Sequence, residues 1–175
     1  MKPTRTFITV CGITPEEAED FSFDYDLSGA SIGSDDLMNQ LVPNSEDWGG
    51  ISWMELEDYE YDASTNRILV TLETKWEAPL EWAQVASRDC IYFQNRLITM
   101  STVSQDECWV EGYAFMDGER LQNKRLISIG SSETSEYQDN ENNNDQEGDL
   151  DSLLWEAINK FEQVCRDFYL GEKND

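Results

Sequence analysis

The chain has 175 residues, with 37 Asp and Glu against 12 Lys and Arg and no His, for a formal charge of -25. That length suits one domain spanning residues 1–175, and 39% hydrophobic residues supply enough apolar surface to offset the entropy of folding, so a disordered acidic tail is excluded. The charge argues against direct binding to nucleic acid or anionic membranes, and the missing His removes every Ser-His-Asp, Cys-His and His-metal constellation.

Met1 to Thr14 holds no apolar run of signal-peptide length, and no stretch approaches the roughly 18 apolar residues of a membrane span, so a cytoplasmic protein is expected. Residues 5–12 are β-branched and aromatic and suit a first strand. Thr14-Pro15-Glu16-Glu17 then sets a capping hydroxyl, Pro at the first helical position and Glu three residues after the cap, which starts a short helix. Ser34 to Met38 suits another brief helical turn that ends before Pro43.

Trp53 to Asp62 and Arg67 to Thr74, joined by Ala63-Ser64-Thr65-Asn66, read as a β-hairpin. In its first strand Met54 and Leu56 share a parity that Tyr59 and Tyr61 break, so a bulge at Glu57 and Asp58 is predicted to restore a single inner face. With that bulge Glu55, Glu57, Asp58, Glu60 and Asp62 form an outward acidic ridge. Pro79 to Ser87 suits an amphipathic helix carrying Trp82, Val85 and Ala86 on one side. Strands follow at 96–103 and 108–117, the second closed by Asp117-Gly118, and Lys124 to Ile129 suits one more.

Residues 131–148 are polar and acidic, without Lys or Arg, and are expected to form a mobile loop. Leu150, Leu153, Leu154, Ala157, Ile158, Phe161, Val164, Cys165 and Phe168 then recur at helical spacing, predicting a long C-terminal amphipathic helix whose stripe is a core face. The expected class is α+β, an antiparallel sheet packed against helices.

Trp48-Gly49, the run Thr74-Lys75-Trp76-Glu77-Ala78-Pro79, Trp82, Ser87 and Gly112 carry a resemblance, over about residues 48–121, to the YubB ferredoxin-like family of phage and plasmid proteins. Leu41-Val42-Pro43 stands where that family has a segment rich in Ile and Pro. The resemblance implies a ferredoxin-like sandwich from a mobile element and brings no catalytic motif with it. Cys11, Cys90, Cys108 and Cys165 lack the spacing of zinc or iron-sulfur sites and read as reduced, mostly buried thiols.

No cofactor or metal site is expected. The pattern Asn143-x-Asp145-x-Glu147-Gly148 opens like a calcium loop, but Leu154 stands where a bidentate Glu is required. Between Arg5 and Arg67 there is no Lys or Arg, whereas fifteen Asp and Glu fall between Glu16 and Asp62. Duplex DNA carries one charge per roughly 1.7 Å of axis, and basic clefts are spaced to meet it. The ridge alone is too sparse to imitate a duplex, so Asp35, Asp36, Glu46 and Asp47 would have to lie beside it. Together with mobile-element origin, this pattern points to a non-catalytic DNA mimic that inhibits a host DNA- or RNA-binding defence protein. Two alternatives stand beside it: an interaction module using an aromatic surface, and a carboxylate-dependent metal-binding protein or enzyme.

Overall fold

The computed structural model describes residues 4–24, 54–74, 77–104, 109–128 and 144–171. The turn expected at Ser34 to Met38 and residues 131–143 of the expected loop lie outside them. The described elements run β1 (Thr4–Cys11), α1 (Pro15–Asp24), β2 (Met54–Asp62), β3 (Arg67–Thr74), α2 (Leu80–Asp89), β4 (Ile98–Ser104), β5 (Trp109–Met116), β6 (Glu119–Ser128) and α3 (Asn144–Leu170). Their strands form an open antiparallel sheet in the order β2-β3-β1-β4-β5-β6. The sheet has six strands where a plain ferredoxin-like sheet has four, and its last strand pairs with β5 from Glu119 and not merely from Lys124 onward.

Local chemistry accounts for the connections. The capping box at α1 closes in both directions: Glu17 N–H donates to Thr14 Oγ1 at 3.2 Å, and Thr14 N–H donates to Glu17 Oε2 at 2.9 Å. At the β5–β6 hairpin Met116 faces Glu119, which leaves Asp117 and Gly118 as a two-residue turn. Both take positive φ, 49° and 85°, as the tight turn that matches strand twist requires. The predicted bulge is present: the β2–β3 register slips between Leu56 and Asp58, leaving Glu57 as the extra residue.

The alternation of β1 and β3 sends residues to two different cores. Ile8, Val10, Ile68, Val70 and Leu72 meet α1 and α2 on one face, with Phe21, Trp82, Ala83 and Ala86 filling the space between. Leu56, Tyr59 and Tyr61 pack against the same cluster, so the bulge does return them to a common face. On the other face Cys11, Leu97 and Ala114 meet Phe161 and Cys165 of α3, and Val103 and Val110 meet Ile158. Fully burying one such side chain is worth about 1.5–3 kcal/mol.

Two features seat α3. Phe161 lies on β5 where Gly112 has no side chain; a Cβ there would come within 2.7 to 2.9 Å of the ring. At the next residue, the carboxylate of Glu162, 7% exposed, receives the Arg67 guanidinium through Nη1 and the Thr9 hydroxyl at 3.3 Å, with Arg166 Nε at 4.0 Å. A charge this buried persists only when paired and hydrogen-bonded.

The expected core stripe of α3 is only partly buried. Leu154, Ala157, Ile158, Phe161 and Cys165 turn inward or partly so, but Leu153, Val164 and Phe168 are exposed. The buried arc is rotated toward Glu162, which a hydrophobicity pattern assigns to solvent. The helix also begins at Asn144, so residues 144–148 of the expected loop are helical backbone, and Asp145 and Glu147 stand in a helix and not in a calcium-binding turn.

Replacing Gly112 by Ala is expected to cost about 1–3 kcal/mol of stability through overpacking, read by urea unfolding, with the loss reduced when Phe161 is also shortened to Leu. Glu162→Ala, which takes from the largely buried Arg67 and Arg166 the carboxylate they share and leaves Arg67 with Asp62, should cost about 1–3 kcal/mol in the same assay.

Candidate functional site

The side of the sheet that carries α3 is not wholly covered, because α3 packs mainly over β4, β5 and β6 and meets β3 at Arg67. Between the helix and the uncovered part lies a cavity of about 440 Å³. Its floor is Arg5, Phe7, Thr71 and Val103, from three neighbouring strands. Leu154, Trp155 and Ile158 of α3 form an apolar wall, and the bulged residues Glu57 and Asp58 form an acidic one. The Trp155 ring leans on Phe7, with centroids 4.7 Å apart at 56°, yet Trp155 remains 48% exposed. One aromatic face therefore stands beside two carboxylates.

The five ridge residues have different tasks. Glu57 Oε1 pairs with Arg5 Nη2 at 2.6 Å, so its charge is matched within the fold. Asp62 organises the hairpin: it accepts the Ser64 N–H at 2.9 Å, the Ser64 hydroxyl at 2.6 Å and the Thr65 hydroxyl at 2.5 Å, and Arg67 lies 3.5 Å away. The Ser64 and Thr65 hydroxyls hold its carboxyl well below the usual carboxylate range. Asp58 and Glu60 are exposed and in no ion pair among the described residues; Asp58 accepts only the Tyr59 N–H, at 2.9 Å. As alternate residues of one strand they stand about 6.8 Å apart. Glu55 belongs to β2 by its backbone, which faces Glu73. Asp35, Asp36, Glu46 and Asp47 lie outside the described residues.

A second acidic surface adjoins the ridge. Tyr59 and Tyr61 donate their hydroxyls to the carbonyls of Ala18 and Ile13, at 3.5 and 3.0 Å, which lays α1 over β2. Glu16, Glu19 and Asp20 of that helix are exposed. The arginines on this side are matched among the described residues: Arg5 by Glu57, Arg67 by Asp62 and Glu162, and Arg96 by Glu17 at 2.6 Å. The end of the sheet bearing β2 thus presents carboxylates to solvent while its arginines are spent internally.

Among the described residues no three Cys, Asp or Glu converge as a metal-binding set, and no helix is long and apolar enough to cross a membrane. Cys11, Cys90 and Cys165 are buried, and burial pushes the Cys165 thiol up to about 11, so it stays protonated and unreactive near neutral pH; Cys108 lies outside the described residues. Arg5, Phe7 and Trp155 were not singled out by sequence. Arg5 and Phe7 share a strand face by parity, but only the placement of α3 brings Trp155 to them.

Because Asp62 titrates below its ordinary value of 3.8 when folded, its stabilising effect is present above that value and lost as pH falls below it. Asp62→Asn is therefore expected to lower the thermal midpoint at pH 7, with the gap to the parent protein closing under acid conditions. No family model matches the chain, and neither does any curated protein or solved structure.

Proposed function

We propose that this chain is a non-catalytic cytoplasmic binding protein that offers its acidic edge to a basic macromolecular partner, mimicking DNA to inhibit a host nucleic-acid-binding defence protein. The observation that carries this reading is that Asp58 and Glu60 are exposed and in no ion pair among the described residues, while Arg5, Arg67 and Arg96 are matched by other carboxylates. Charge left on one surface is available to a partner, whereas charge cancelled inside the fold is not. The cavity beside the ridge extends the reading: a cationic side chain entering it would meet Asp58 and the face of Trp155 together.

The origin in a phage or plasmid rests on the resemblance to the YubB family. In support of a ferredoxin-like unit, the order β1-α1-β2-β3-α2-β4 is that of a split βαβ motif, and its strands lie as β2-β3-β1-β4, with β5 and β6 as additions. The aromatic interaction module is favoured by one observation of its own, the exposure of Trp155 with Leu153 on α3.

The test is capture of a basic nucleic-acid-binding protein from host lysate at low and high salt, followed by challenge with duplex DNA. Release by both supports mimicry, and salt-resistant capture supports the aromatic module instead. Asp58→Asn combined with Glu60→Gln is expected to weaken capture about tenfold without moving the thermal midpoint. Capture unchanged by this pair would remove the ridge from the mechanism. Glu57 and Asp62 are unsuited to that test because each already has a partner within the chain, Arg5 for the first and the Ser64 and Thr65 hydroxyls for the second.

A further inference from the structure

The opposite end of the sheet has the reverse chemistry. Between β6 and α3 runs a groove of about 420 Å³, floored by Leu126, Ala157, Phe161 and Cys165 and overhung by Val164 and Phe168. Val164 is 57% and Phe168 76% exposed, although both belong to the helix's apolar stripe. The groove's charged lining is Lys124 on β6 and Lys160 on α3, with no carboxylate, in a chain where acids outnumber bases 37 to 12. Neither lysine is in an ion pair among the described residues, and β6 is the last strand of the sheet, so no described strand pairs with its outer edge.

These facts fit together geometrically. Residues of α3 near Glu162 and Trp155 lean toward β1 and β3, and Phe161 sits on β5. On the same helix Val164 and Phe168 turn the other way, line the groove beside β6 and remain exposed. The helix is wider in apolar surface than six strands can cover. A seventh strand beside β6 would lie beneath that overhang, its backbone paired with the open edge and its alternate side chains against Val164 and Phe168.

We propose that the β6 edge and the α3 groove dock an extended acidic segment of a partner protein, adding it as a seventh strand. Apolar side chains on one face of the segment fill the groove, and its carboxylates meet Lys124 and Lys160. A second copy is a poor occupant, since each chain carries -25 and two copies repel. This site is separate from the acidic edge, so either assignment stands or falls alone.

The probes are two labelled peptides, one alternating Leu with Glu and the other Leu with Lys, titrated with the full chain by fluorescence anisotropy. The acidic peptide should bind at least about tenfold more tightly than the basic one, and Lys124→Glu with Lys160→Glu should remove that preference. Hydrogen exchange of β6 amides should slow when the acidic peptide is bound. Equal binding of both peptides, absence of binding, or unchanged exchange in β6 would overturn the proposal. Association of the chain with itself, seen by sedimentation and lost with Phe168→Ser, would also overturn it in favour of a second copy. The lysine variant should retain capture through Asp58 and Glu60, which separates failure of this site from failure of the acidic edge.

Discussion

The placement of α3 depends on one buried carboxylate. Glu162 must keep Arg67, Arg166 and Thr9 within reach, because a carboxylate removed from water without such partners would have to give up its charge. Arg166 lies one turn along the same helix, but Thr9 and Arg67 lie on β1 and β3, so they fix the rotation of the helix as well as its position. The contact of Phe161 with Gly112 fixes the other side of the same helical turn. Between them these two constraints decide which stripe of α3 is buried and which is left in solvent.

The open surfaces follow from that choice. Because the helix is held over β4 to β6 yet tied back to β3, a cavity is left where Trp155 overlooks the bulged edge of β2, and a groove is left where Phe168 overlooks β6. The two differ in sign because the strands beneath them do. β2 carries acids between its tyrosines, whereas β6 carries Arg120, Lys124 and Arg125. An open sheet with unlike edges is polar in the electrical sense along its width.

Much of this was legible in the chain, and the reasons are local. The capping box, the bulge at Glu57 and the Asp117-Gly118 turn depend on residues close in sequence, where spacing alone states the geometry. The hairpin partners β2 and β3 were readable for the same reason. The acidic ridge was legible as residues but not as roles, since nothing in alternation shows that Asp62 holds a turn and Glu57 an arginine while Asp58 and Glu60 face solvent. Glu162 was illegible: a charged residue on a helix is assigned outward unless its partners, here on β1 and β3, are known to lie beneath it. Misplacing it rotates the whole predicted stripe, which is why Leu153, Val164 and Phe168 were expected in the core.

The central position of β1 has a consequence for how the chain is made. Its two neighbours come late: Cys11 faces Arg67 and Val10 faces Ile98. That strand must therefore wait, with Ile8 and Val10 bare, until both flanking strands have emerged, while β2–β3 and β5–β6 close promptly as hairpins. Assembly is set by the slow return of distant partners to a strand already made, and during synthesis that strand is the segment most in need of protection from other chains.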